Sequence, residues 1–336
     1  MTGLPLDLLC WPLAISCLIC LLVGARLIRQ TAVWGWVQPF RYEDCPPLAP
    51  LHQQKQGTPT MGGVWVLGIA VATAAAFGGF RGPAGGIVLL AAVGLGAIGL
   101  ADDALKLRRP NARGMRCQPK LALALGVGGG VGWALSSNPT LRYDEIVVPW
   151  LGARPVAAWA GIPLAMLVLA GTSHAVNLTD GMDGLAAGAL AAAFGALGVW
   201  AVSGPFAGAT ERSVAVWCAS LAGACLGFLW FNAHPASVFF GDAGALALGG
   251  ALGALALVSR ASLGLLILGG VFVAEALSVM LQVASYRYRN KRRIFRVAPL
   301  HHHFHLGGVA EPKLVVRFWI IGAVLRALGL IGLSVR

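Results

Sequence analysis

Apolar residues in this chain are gathered into long runs, and polar residues fall almost entirely between them. Ten runs, at about residues 8–28, 61–80, 84–101, 119–136, 157–176, 184–203, 212–231, 243–259, 263–285 and 315–335, approach the roughly 20 residues a helix needs to cross a hydrocarbon layer. They are rich in Gly, Ala, Leu and Val, which let helices approach closely in lipid. The pattern predicts an all-α polytopic integral membrane protein with about ten transmembrane helices, in one domain over residues 1–336. The shortest runs also suit re-entrant or half-buried segments. Only Asp7 is charged ahead of Arg26, so the first run lacks the basic start of a signal peptide and is expected to stay as a span.

Composition strengthens this reading. Mean hydropathy is +0.76 and 11% of residues are charged, too few to cover a water-soluble chain of 336 residues. Charge then orients the spans. Loops after runs one, three and nine hold eighteen of the 25 Lys and Arg: Arg26, Arg29, Arg41 and Lys55; Lys106, Arg108, Arg109, Arg113, Arg116 and Lys120; Arg287, Arg289, Lys291, Arg292, Arg293, Arg296, Lys313 and Arg317. The even loops carry Arg81, Arg142, Arg154, Arg212 and Arg260, and the C-terminal segment carries Arg326 and Arg336. By the positive-inside rule the odd loops face the cytoplasm and both termini face outward. The net charge of +12 is then a feature of the cytoplasmic face, where it also attracts anionic headgroups. No soluble region exists to bind nucleic acid. The seven Cys lie mostly in apolar runs, and Cys17 and Cys20 read as small buried hydrophobes.

Within this frame the polar exceptions align. "HQQKQGTPTMGG", "ADDALK", "NLTDGMDGL", "FNAHPASVFFGDAG" and "APLHHHFHLGG" all lie in odd loops. Asp102, Asp103, Asp180, Asp183 and Asp242 therefore share one membrane surface with most of the basic residues. One such carboxylate alone reads as a cap or a solvated group; five together read as function. Hard oxygen ligands recruit Mg²⁺, which bridges phosphate oxygens, and Lys and Arg neutralise what charge remains. That is equipment for reaction at phosphorus. No Walker-type glycine-lysine stretch accompanies it, so ATP hydrolysis is not indicated.

The residues themselves now carry a likeness. "KQGTPTMGG", "DDALK", "NLTDGMDGLA", "FFGDAGALALGG", "EALSVMLQVASY" and "APLHHHFHLGG…EPKLVVRFW" resemble the polyprenyl-phosphate N-acetylhexosamine-1-phosphate transferases, and within them the branch acting on muramoyl-pentapeptides. The likeness runs in order from about residue 50 to 320. It implies Mg²⁺-dependent transfer of phospho-N-acetylmuramoyl-pentapeptide from a UDP donor to undecaprenyl phosphate, giving lipid I and UMP at the cytoplasmic face of a bacterial inner membrane. Implied partners are the UDP-N-acetylmuramoyl-pentapeptide, undecaprenyl phosphate, the lipid bilayer and a second copy in a homodimer. By position, Asp242 resembles the Mg²⁺ ligand, Asp102 the base for the lipid phosphate and Asp103 its partner. Asn177, Asp180 and Asp183 match the nucleotide-contacting segment, with a helix-capping role for one of them compatible. Asn232 matches a cleft asparagine and Phe239 an aromatic beside uracil, a membrane-face aromatic being the other reading. Lys55, Thr58, Lys106 and Lys120 match polar positions of the pocket, although Lys106 and Lys120 also fit simple topology. His301, His302 and His303 match a loop beside the diphosphate. Direct attack and a covalent aspartyl step both fit these residues.

Departures and rivals complete the reading. His305 stands where Glu commonly follows the histidine run, Ala245 where Ser is usual, and "RRPNARGMRCQPK" is a looser match. The run His301, His302, His303 and His305 also suggests zinc, against which consecutive residues rarely aim three side chains at one ion. A sibling transferase for a peptide-free UDP-sugar shares the aspartates. An anionic-solute transporter would use Glu275 inside the ninth run, but predicts its charges near the bilayer midplane.

Overall fold

A computed structural model describes residues 6–37, 55, 57–108, 114–141, 145–204 and 208–335. Arg41, Arg109, Arg113, Arg142 and Arg336, used above to orient the spans, lie outside the described residues. Every predicted run carries a helix: α1 (Asp7–Val33), α2 (Gly62–Ala76), α3 (Pro83–Arg108), α4 (Cys117–Ser136), α5 (Gly161–Thr179), α6 (Leu185–Ser203), α7 (Ala209–Asn232), α8 (Gly241–Val258), α10 (Gly270–Tyr288) and α12 (Glu311–Ser334). Short helices α9 (Leu265–Leu268) and α11 (Leu300–His305) intervene. Seven of the helices are long and apolar enough to cross a membrane. The protein is an all-α polytopic membrane protein. Two four-residue strands, β1 (Glu145–Val148) and β2 (Gly152–Pro155), form a small antiparallel hairpin that the run pattern did not anticipate.

Two runs depart from a simple crossing. α2 has 15 residues, about 22 Å of helix, short of a full hydrocarbon layer. The ninth run breaks at Gly269, which joins α9 to α10, so its main helix starts late and continues to Tyr288.

The core is built on α8. Its sequence, GDAGALALGGALGALALV, contains no side chain larger than Leu, so neighbours crowd it on all sides. Every residue from Ala243 to Val258 is buried. Helices α3, α5 and α2 pack on it, α7 packs along α1 and α6, and α4 and α10 lie against α5. The rim instead exposes Leu18 and Leu22 of α1, Leu90 and Val93 of α3, and Ile320, Ile321 and Val324 of α12. A girdle of that size needs lipid, because water would drive it to aggregate.

Even loops close one end of the bundle. Trp217 Nε1 donates to Gly79 O at 2.9 Å, joined by Ser213 Oγ. Val147 N–H bonds Arg260 O at 3.0 Å, and Trp150 N–H bonds Gly332 O at 2.7 Å. Odd loops close the other end, and the polar motifs meet there.

Candidate active site

The centre of that end is the crossing of α3 and α8. Gly99 makes it possible: a Cβ there would sit 2.2 Å from Asp242 O. With the backbones this close, Asp102 and Asp103, one turn further along α3, stand beside the first turn of α8. That turn needs a partner, because its own N-cap residue, Phe240, supplies no side-chain bond. Asp103 Oδ2 accepts the Ala243 N–H at 2.9 Å and does the capping from another helix. Asp102 Oδ1 accepts the Met115 N–H, tying down the segment that leads into α4.

Two lysines fill the space between the carboxylates. Lys106 Nζ is 2.6 Å from Asp102, 3.5 Å from Asp103 and 3.0 Å from Asp242. Lys120 Nζ, reaching from α4, lies 2.5 Å from Asp242 Oδ2 and 3.6 Å from Asp102. Asn177 Nδ2, from α5, donates to Asp242 Oδ1 at 3.1 Å. The looser match around Lys120 thus still delivers its ammonium to the cluster. Among the described residues three carboxylates face two ammoniums, a formal excess of one negative charge. Oxygens of Asp102, Asp103 and Asp242 all lie within 4.8 Å of one another. All are hard donors of the kind Mg²⁺ takes, so the residues fit that ion.

A second cluster holds the Asp180–Asp183 turn. Lys55 Nζ bridges Asp183 Oδ1 at 2.7 Å and Glu311 Oε1 at 2.6 Å. Asp183 Oδ2 accepts from Ala236 N–H and meets His234 Nδ1, each at 3.1 Å, and Glu311 Oε1 also accepts the Asp183 N–H at 2.7 Å. Asp183 is 4% exposed with both oxygens engaged, so it anchors the turn instead of capping α6, whose N-cap is Gly184. Asn232, 1% exposed, is likewise a clamp: its Oδ1 accepts Gly184 N–H at 3.1 Å and its Nδ2 donates to Val238 O at 2.8 Å. Asp180 is half-buried at the end of α5. Burial raises its pKa well above the usual carboxylate range, and Asp242, Asp103 and Asp183 push it the same way against Lys55. Phe239 and Thr58 are half-buried at the same end, where Phe239 N–H bonds Pro59 O at 2.9 Å and Gly62 N–H bonds Phe239 O at 2.9 Å.

The histidines do not converge. His301 Nδ1 lies 3.1 Å from Glu275 Oε2, His303 Nδ1 accepts the Arg296 N–H at 3.1 Å, and His305 Nδ1 faces Val309 O at 2.9 Å. His302 packs on His301 with ring centroids 4.2 Å apart. Among the described residues the four histidines do not present a common set of ligand atoms for one ion. Glu275 is at the site end beneath His301, which removes the transporter reading of an isolated midplane charge. Sequence reasoning missed His234 and Glu311. The second had a signal, because no Asp or Glu occurs between Glu275 and Glu311 and a lone acid at a helix start is conspicuous.

Comparison with known proteins identifies the family. Residues 86–260 match the family "Glycosyl transferase family 4". A phospho-N-acetylmuramoyl-pentapeptide-transferase of Nitratidesulfovibrio vulgaris is 42% identical over 341 residues, covering 97% of this chain and 91% of that protein. Proteins of the same name from Pelobacter propionicus and Citrifermentans bemidjiense are 41% and 43% identical over 331 residues, each covering 95% of this chain and 90% of the relative. Likeness at that level along almost the whole chain, with aspartates and lysines gathered at one end of a membrane bundle, shows that this enzyme belongs to the phospho-N-acetylmuramoyl-pentapeptide-transferase family.

Proposed function

We propose that the enzyme transfers phospho-N-acetylmuramoyl-pentapeptide from its UDP donor to undecaprenyl phosphate, releasing UMP and forming lipid I. The observation that carries this reading is the cluster of Asp102, Asp103, Asp242, Lys106 and Lys120 at one end of a lipid-exposed bundle. A reaction between a membrane-anchored phosphate and a soluble diphosphate needs mixed charge at such a surface.

An oxygen of the lipid phosphate attacks the sugar-bound phosphorus; a new P–O–P linkage forms, the old one breaks, and UMP leaves with the electron pair. Asp102 is 3% exposed and both its oxygens are engaged, so it accepts a proton only after Lys106 releases it. The Lys106 side chain is the most exposed member of the cluster, at 29%, and an arriving phosphate draws it away. Little basicity is needed, since the second pKa of a phosphate monoester is about 6. Mg²⁺ held by Asp242, with Asp102 and Asp103 beside it, supplies charge neutralisation on the diphosphate oxygens when bound. Asn177, Asp180 and Phe239 serve the uridine end. In His303 the Arg296 N–H occupies the Nδ1 lone pair, so Nε2 carries the hydrogen and donates to a phosphoryl oxygen. The reading places the protein in a bacterial inner membrane, termini outside and site in the cytoplasm.

The test is purified enzyme with Mg²⁺, undecaprenyl phosphate and either the muramoyl-pentapeptide or a peptide-free UDP-sugar, following UMP release. Release with the first donor, lost in a folded Asp242→Asn variant by several orders of magnitude, is expected. Release only with the second would replace the donor assigned here, and unchanged turnover in the variant would remove Asp242 from the site.

A further inference from the structure

Glu275 and His301 are each 0% exposed, and they face each other in the interior. Glu275 Oε2 accepts the His301 backbone N–H at 3.3 Å, while His301 Nδ1 lies 3.1 Å from the same oxygen. The Nδ1 approach is a close contact and not a formed hydrogen bond, so the carboxyl and the imidazole face each other with Nε2 on the far side of the ring. Nε2 then abuts Gly181, where a Cβ would be 2.4 Å from it and 3.3 Å from His302 Nε2. Gly181 is the middle of the Asp180–Asp183 turn. A carboxylate on α10 thus presses, through one imidazole, on the turn that presents Asp180.

We propose that Glu275 and His301 form a buried positioning pair that sets the Asp180–Asp183 turn, and that His301 does not itself touch substrate. Several facts converge on this. His301 has no exposed surface from which to donate. Among the described residues Glu275 Oε1 and both ring nitrogens of His301 lack a hydrogen-bond partner, so the two side chains are enclosed against each other by packing. Enclosing two ionisable groups is costly and persists where they fix a neighbour's geometry. The pair also joins α10, whose Leu277, Met280, Leu281 and Val283 are exposed on the rim, to a turn at the heart of the site. Its importance for turnover rests on the transferase reading; its effect on the turn does not.

Amide hydrogen exchange on the purified, substrate-free protein separates the two. Glu275→Leu and His301→Ala should each speed exchange across residues 178–186 by about 10-fold or more, without changing the hairpin at 145–155. Glu275→Gln keeps an acceptor oxygen and should exchange like wild type. In the UMP-release assay Glu275→Leu and His301→Ala should lose activity similarly, about 10- to 100-fold, and the double variant no more than His301→Ala. Unchanged exchange at the turn in folded Glu275→Leu overturns the proposal. If Glu275→Leu does not fold, unchanged exchange in His301→Ala does so. An additive double variant, with His301→Ala far more damaging than Glu275→Leu, would mean that His301 acts on substrate directly. Absence of UMP release from wild type would sink the transferase reading while leaving the exchange result to decide the pair.

Discussion

At the scale of single residues, this site is a set of charges that restrain one another. Lys106, Lys120 and Lys55 each touch two or more carboxylates, and both oxygens of Asp183 are engaged. Asp180 is the exception. Among the described residues no hydrogen bond reaches its side chain, and burial, with Asp242, Asp103 and Asp183 nearby, raises its pKa. A carboxyl whose folded pKa is raised binds protons more tightly folded than unfolded. Stability therefore falls as pH rises from about 4, the unfolded value, through the raised folded value, and stays low above it. Asp180→Asn removes that penalty. The variant should melt at a higher temperature than wild type at pH 8, with the gap narrowing toward pH 5, while turnover falls. A gap that is absent or widens on acidification would show that Asp180 is not strained in the folded state.

At the scale of elements, the decisive contact is α3 against α8. Gly99 sets their separation and Asp103 caps α8 across the gap, so the helix crossing and the site are one construction. Gly99→Ala should destabilise by about 1–3 kcal/mol, as overpacking does, and lower activity further by moving Asp102 and Asp103 off Asp242. Gly86→Ala, on the same helix but with open space around it, should be close to neutral. Thermal unfolding in detergent with parallel UMP-release rates checks both. Equal effects at the two positions would show that close approach at Gly99 is not what builds the site. The element level is also where reading the sequence fell short. Hydropathy located the helices of the ten runs, though not the short α11, and gave α2 and the ninth run the lengths of full crossings, because an average over a window does not register a Gly269 break or an αL residue such as Met61 at a helix start.

For the molecule as a whole, the two ends of the bundle differ in kind. One is stitched mainly by backbone and Trp bonds with an ion pair, Arg260–Glu145 at 3.5 Å, the other by carboxylates and lysines. If the charged end is cytoplasmic, a cysteine replacing the exposed Gly57, in a chain whose seven native Cys are removed, should react with a membrane-impermeant thiol reagent only from inside. Labelling of intact cells from outside would invert the orientation and separate the site from any cytoplasmic nucleotide donor.

The sequence by itself determined the membrane class, the ten helical runs and the odd loops that carry the polar motifs. Each is a local property, since hydropathy over a window and charge between windows need no knowledge of neighbours. It also marked the aspartates, because five carboxylates in so apolar a chain are costly without a purpose. Only the tertiary structure decided their partners. Lys55 meets Asp183 across 128 positions and Lys120 meets Asp242 across 122. Asp183 and Asn232 proved to be anchors, Glu311 and His234 entered the site, and Glu275 turned out to lie under His301. Pairings at such separations depend on how closely helices can cross. That is set by small residues on two or three elements at once, a condition no single stretch of sequence contains.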